Sequence, residues 1–277
     1  MRGGPGTLRA VSARRVARAL PALFRVSFAD AVAYRAELLI WVLSTTMPLI
    51  MLALWSAVAR DAPVGRFGPR EFTAYFLATF IVRQLTGSWI SWQLNHEIRQ
   101  GTLSMRLLRP LHPFLAFVVE ALAVIPLRAA VSLPVAALAL WIVGPQLLPP
   151  TPALWLVWLM ALVGSWLISF LASFAIGCLA FFMESSRQIM ELWLALFFVF
   201  SGYLVPVELF PPALRWVAEW LPFRYQIGLP VELLTSAHDL PAALGLVGRQ
   251  WIFVGVLSGT AAGVWRRGLR RFAAFGG

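Results

Sequence analysis

The sequence predicts an all-α integral membrane protein, and three observations carry the prediction. Hydrophobic residues make up 60% of the chain against 13% charged, and the mean hydropathy is +0.78, far from the mix of a soluble globular domain. Six apolar runs approach the ~20 residues that a helix needs to cross hydrocarbon, where backbone polar groups must be satisfied within the segment. All 23 basic residues are arginine, and most sit at the ends of those runs.

The same counts exclude several functions. A chain without lysine has no Walker A loop, whose lysine must reach the nucleotide phosphates. The formal charge of +11 forms no patch with interleaved aromatics, so nucleic acid is not an expected partner. The single cysteine, Cys178, lies inside an apolar run; it permits no intrachain disulfide and no cysteine metal site, and reads as inert packing.

Residues 1–36 carry seven arginines and lack the apolar core and small-residue cleavage site of a secretory signal, so they are expected in the mature protein. Over residues 11–35, Val16, Leu20, Leu23, Phe24 and Phe28 recur at helical spacing, with Arg14, Arg15, Arg18 and Arg25 between them. That pattern suggests an amphipathic helix on the membrane surface, kinked at Pro21; a disordered basic leader is the alternative.

The six runs cover residues 37–59, 72–92, 114–143, 153–182, 189–205 and 251–265. Together residues 37–267 form the transmembrane domain, followed by a tail at 268–277. With the N-terminus inside and the spans alternating, 15 arginines fall inside and six outside, the other two being within spans. Both termini are therefore expected in the cytoplasm.

The second and third runs are joined by the polar segment 93–113, which contains "NHEIRQGTLSMRLLRPLHP". Thr102 after Gly101 can cap a short helix, and Pro110 must end it. About two turns remain, with Leu103, Leu107 and Leu108 near one side and Arg99, Arg106 and Arg109 elsewhere. The result is a cationic, amphipathic knob that fits either a partner's groove or an anionic lipid surface. "HEIRQ" also begins like a zinc-binding His-Glu-x-x-His, but Gln100 stands where the second histidine is needed. Ser258 before Gly259 has no local His and Asp to make it a nucleophile.

Four charged residues fall within spans: Arg83, Glu120, Arg128 and Glu191. Each would cost about 3 kcal/mol or more facing lipid at the centre, so each should face protein or water. Interspan pairs that fix register and a cationic cavity for an anionic or amphiphilic cargo are equally open readings. Small residues repeat every four positions at Gly255, Gly259 and Gly263 and at Ser165, Ser169, Ser173 and Gly177, which suggests close helix contacts, within the chain or with a second membrane chain. Residues 206–248 contain Pro206 and Pro211, and residues 211–221 read as a short amphipathic helix begun by Pro212. Leu214, Val217 and Leu221 share one face, Arg215 and Glu219 form an i,i+4 pair, and Trp216 and Trp220 suit an interface.

The string "HEIRQGTLSMRLLRPLHP" resembles the cytoplasmic segment after the second span in permeases of ABC type-2 exporters, a likeness carried by Glu97, Gly101, Thr102, Leu103, Leu107, Leu108 and Pro110. "LLRPLHPF" and "WRRGLRRF" are similar to a bacterial subfamily often encoded as permease pairs. The resemblance implies a coupling helix in which Glu97, Arg99, Gly101, Thr102, Leu103, Arg106, Leu107, Leu108 and Pro110 meet a nucleotide-binding subunit. It further implies two ATPase copies, a second permease with a heterodimer favoured, and location in the bacterial inner membrane. ATP and Mg would be bound by the ATPase subunit, this chain would bind no cofactor, and it would be no enzyme by itself. The re-entrant segment with Pro206, Pro211, Trp216 and Trp220 would lie at the outer exit. No substrate is identified, and an ATP-independent scaffold or intramembrane enzyme is the rival.

Overall fold

A computed structural model describes residues 13–109, 111–144, 149–183, 186–236 and 238–275, and among them every named element is helical. Among the described residues three helices are long and apolar enough to cross a membrane: Pro113–Val143, Pro152–Phe181 and Leu240–Phe272. A shorter apolar helix covers Val42–Val58.

The amphipathic helix near the N-terminus is α1 (Ala13–Ala33), with Pro21 inside it. Residues 1–12 lie outside the described part. The first apolar run is two helices, α2 (Arg35–Ser44) and α3 (Met47–Val58), rather than one. Pro48 near the start of α3 disfavours continuous helix before it and removes a donor. The carbonyls released by the break are met by side chains: Thr45 Oγ1 donates to Val42 O and Thr46 Oγ1 to Leu43 O, each at 2.8 Å. Tyr203 Oη donates to Thr45 O at 3.2 Å, and Gln84 Nε2 to Thr45 Oγ1 at 2.7 Å.

The second run is likewise divided, into α4 (Pro69–Thr86) and α5 (Ile90–Arg99), parted at Gly87. The third consists of α7 (Pro113–Ala123) and α8 (Ile125–Val143), joined at Val124 where Pro126 follows. The fourth is α9 (Pro152–Cys178), drawn out by a 3-10 turn to Phe181. The fifth is α10 (Ser186–Phe200), which starts and stops earlier than the hydropathy suggests. It stops because the chain turns at Gly202, whose φ of +82° only glycine adopts freely, and Tyr75 Oη donates to the Gly202 carbonyl at 2.8 Å. The last run is a small part of α13 (Leu240–Phe275), which is 36 residues long.

Helix α9 is the central post, packing along α13 on one side and α5 on another. Its serine stripe is used in full. Ser165 Oγ donates to Tyr225 O at 2.8 Å, Ser169 Oγ to Gln226 Oε1 at 3.2 Å, and a Cβ on Gly177 would lie 3.1 Å from Leu94. The glycine stripe on α13 is not: Gly255, Gly259 and Gly263 have no atom within 4 Å of an added Cβ. Among the described residues those glycines make no close contact, so of the two expected uses, contact within the chain is not seen. The tie between α9 and α13 is instead Gln250, fully buried, whose two Nε2 hydrogens are shared among Ala161 O, Ser165 Oγ and Tyr225 O at 2.8, 3.0 and 2.9 Å.

A Cβ on Gly164 would come within 2.5 Å of Gln250 Oε1. Moving that amide would strand several buried polar groups, so Gly164→Val is expected to destabilise the protein by about 1–3 kcal/mol. Thermal unfolding in detergent checks this, with Gly259→Val as the control that leaves the midpoint unchanged.

Candidate functional site

Helix α5 buries Ile90, Leu94 and Ile98 against α9 and leaves its polar side outward. It ends at Gly101, where φ is +72° and the amide donates to Ile98 O at 3.2 Å. Any Cβ there is strained by the backbone alone. The next helix, α6 (Leu103–Leu107), is five residues, somewhat short of the roughly two turns anticipated from sequence. Thr102 holds the capping position but makes no side-chain cap, its hydroxyl lying 3.4 Å from Glu97 O; Ser104 Oγ donates to Gly101 O at 2.7 Å instead. Pro110, expected to end the helix, lies outside the described residues.

So short a helix has no stability of its own. Two attachments hold it. Leu103 is fully buried in the core that contains Leu94, Ile98 and Phe117. Arg106 reaches between α5 and α7: Nε and Nη2 donate to the two oxygens of Glu97 at 2.6 and 2.7 Å, and Nη1 and Nη2 to those of Glu120 at 2.6 and 3.1 Å. Its guanidinium lies 4.4 Å from the centre of the Phe117 ring, and Gln93 Nε2 donates to both carboxylates. Burial works to lower the Arg106 pKa, but the hydrogen bonds to Glu120 and Glu97 outweigh it, and the net shift is upward. The side chain is 16% exposed, so this is a partly desolvated, bidentate clasp and not a surface pair.

These attachments settle which way α6 faces. Leu103 and Arg106, both expected on the partner-facing knob, point into the body. Outward are Met105 at 65% and Leu108 at 81% exposure, with Leu107 at 38%, and Arg99 and Arg109 are exposed around them. The result is an exposed apolar cluster on an arginine-rimmed turn that is anchored at Leu103 and Arg106. Hydrophobic spacing could not reveal it, because Leu103 and Leu108 look equivalent over five residues. A usable signal did exist: Glu97 in the polar segment and Glu120 in the first turns of the third run are the carboxylates nearest in sequence to the one arginine inside α6.

The charges expected within spans separate into two kinds. Glu120 belongs to the clasp, and Glu191 pairs with Arg187 of its own helix at 3.4 Å, so neither fixes register with Arg83 or Arg128. Arg83 and Arg128 come together at Gly87, the break between α4 and α5.

At the opposite end, α11 (Pro212–Glu219) begins where Pro212 was expected to start it. Its anchor is buried Ala218, while Leu214, Val217, Trp216 and Trp220 are all exposed, so the leucine and valine face does not pack as a core. Pro206 is buried at the start of a 3-10 turn, and Pro211 is exposed. Arg215 and Glu219 pair at 3.7 Å. Arg224 is buried and pairs with Glu219 at 3.0 Å and with Glu232 of α12 (Gly228–Thr235) at 2.8 Å. Arg66 forms a fork to Glu208, Nη2 to Oε1 at 2.7 Å, which ties the loop before α4 to this segment. Burial opposes ionisation of Glu208, yet the Arg66 bonds hold its carboxyl below the ordinary range.

Compared with known proteins, residues 47–276 match the family model described as ABC-2 family transporter protein. The matched region runs from the start of α3 through the whole of the clasp and α13. No curated protein matches the chain.

Proposed function

This chain belongs to the ABC-2 transporter family, and from that premise we propose that it is the membrane permease of an ATP-driven exporter, coupled through α6 to a separate ATPase subunit. The observation that carries the reading is the construction of α6. A five-residue turn shows Met105 and Leu108 outward while Leu103 and the Arg106 clasp bind it to α5 and α7. A push on its outer face is thereby delivered to the helices on both sides. The assembly holds two ATPase subunits and a second permease, a related chain in preference to an identical copy. ATP and Mg belong to the ATPase subunits. The cargo is lipid-like, drug-like or polymeric and leaves from the cytoplasm or the inner leaflet.

Six spans cross the bacterial inner membrane, with the breaks at Thr45, Gly87 and Val124 inside three of them and both termini in the cytoplasm. Helix α11 and its neighbours form the outer re-entrant segment at the exit. The arginine asymmetry supports this orientation. In a background without Cys178, a cysteine at Ser104 is expected to label only from the inside and one at Arg66 only from the outside. Labelling of position 104 from outside would overturn the topology. Affinity purification of the tagged chain from membranes, read by mass spectrometry, is expected to recover an ATPase and a second permease; an intact complex with no ATPase contradicts the exporter.

A further inference from the structure

Arg83 of α4 and Arg128 of α8 converge without a carboxylate. A Cβ on Gly87 would lie 3.3 Å from Arg83 Nη1 and 3.6 Å from Arg128 Nη1. Arg128 Nη1 donates to Gly87 O at 2.6 Å, and Arg83 lies 5.0 Å from the Phe197 ring centre. Among the described residues Arg66, Arg106, Arg187, Arg215 and Arg224 all form ion pairs, and neither of these two does. Both side chains are half-buried; like charges held this near one another repel, and a pair of guanidinium groups is the arrangement that grips phosphate.

The surroundings supply donors as well. Arg83 lines a cavity with Ser88, Ser169 and Gln226. Gln226 is 3% exposed, and neither its Nε2 nor the Ser88 hydroxyl has a hydrogen-bond partner among the described residues. On the other side, Arg128 closes a groove of about 640 Å³ that leads out along α1, with Trp89, Trp92, Ile90 and Val124 among its walls. Glu120 also lines the groove, but it is held in the Arg106 clasp. Asp30 of α1 lies on the wall as well, so the groove is cationic where Arg128 closes it, mixed beside α1, and apolar along Trp89, Ile90 and Val124.

We infer that Arg83 and Arg128 form a binding site for the phosphate group of an anionic amphiphile, whose apolar part lies in the groove beside α1. The source of the amphiphile rests on the permease reading, whereas the binding itself needs no ATPase, so failure of one does not mimic failure of the other.

The test uses the full chain in nanodiscs of zwitterionic lipid, with a short-chain fluorescent phosphatidic acid as the probe. Arg83→Gln with Arg128→Gln is expected to weaken probe binding at least about tenfold, each arginine contributing charge-assisted hydrogen bonds. Arg83→Lys with Arg128→Lys should restore much of the affinity, which shows that the loss is not misfolding. The matching diacylglycerol, with no phosphate, should not distinguish wild type from the glutamine variant. Equal phosphatidic acid affinity in wild type and the glutamine variant, both monodisperse, would overturn the site. Inorganic phosphate competing as well as the lipid would overturn the amphiphile and leave a free anion as the ligand.

Discussion

Replacing Met105 and Leu108 together by aspartate is expected to leave the permease in the membrane at normal abundance and to abolish recovery of the ATPase subunit. Both side chains point out of the fold, at 65% and 81% exposure, so the change removes no core packing. Burying two such side chains at an interface contributes about 3–6 kcal/mol, and losing it reduces complex formation a hundredfold or more. Arg99→Glu with Arg109→Glu should have a smaller effect, because exposed charge pairs contribute only about 0–1 kcal/mol each. Leu103→Asp should behave differently from all of these. It places a carboxylate where exposure is zero, and the expected result is loss of the folded protein. Membrane abundance by immunoblot and ATPase recovery on the same tagged samples separate the three outcomes.

Arg106→Gln is expected to abolish coupled export while the permease still inserts. The change removes the hydrogen bonds to Glu97 and Glu120 and leaves two carboxylates facing each other at 14% and 23% side-chain exposure. Breaking one partner out of a buried pair costs about 3–5 kcal/mol, and partial exposure puts this site near the lower end. Neutralising all three, Glu97→Gln, Arg106→Gln and Glu120→Gln, should recover most of the thermal stability because no uncompensated charge remains. Export should stay impaired in the triple variant, since neutral amides hold α6 less firmly than a bidentate guanidinium. Recovery of both stability and export by the triple variant would show that the clasp serves folding alone.

The helical class, the helix α1 and the start of α11 at Pro212 were legible because composition and periodicity extend over many residues. Gly101 was legible as a break because its backbone conformation excludes most side chains. The breaks at Thr45 and Gly87 were not. Hydropathy averages over them, and what makes them tolerable is tertiary: Gln84 and Tyr203 reach Thr45, and Arg128 reaches Gly87, from elsewhere in the chain. The facing of α6 was hidden for a related reason. Five residues give no period to read, and only the positions of Glu97 and Glu120 decide that Arg106 turns inward. The small-residue stripes on α9 and α13 look alike in sequence, yet one is packed and one is open, because the partner of each helix decides its use.

A photoreactive amino acid placed at Leu108 in intact membranes tests the coupling role most directly, with the same residue at Trp216 as the comparison. Both positions are exposed, at 81% and 64%, so neither insertion disturbs the core. If α6 seats the ATPase, illumination yields a covalent adduct between the permease and the ATPase subunit from position 108 and none from position 216. An ATPase adduct from 216, or only lipid adducts from 108 in membranes where ATPase and permease co-purify, would contradict it.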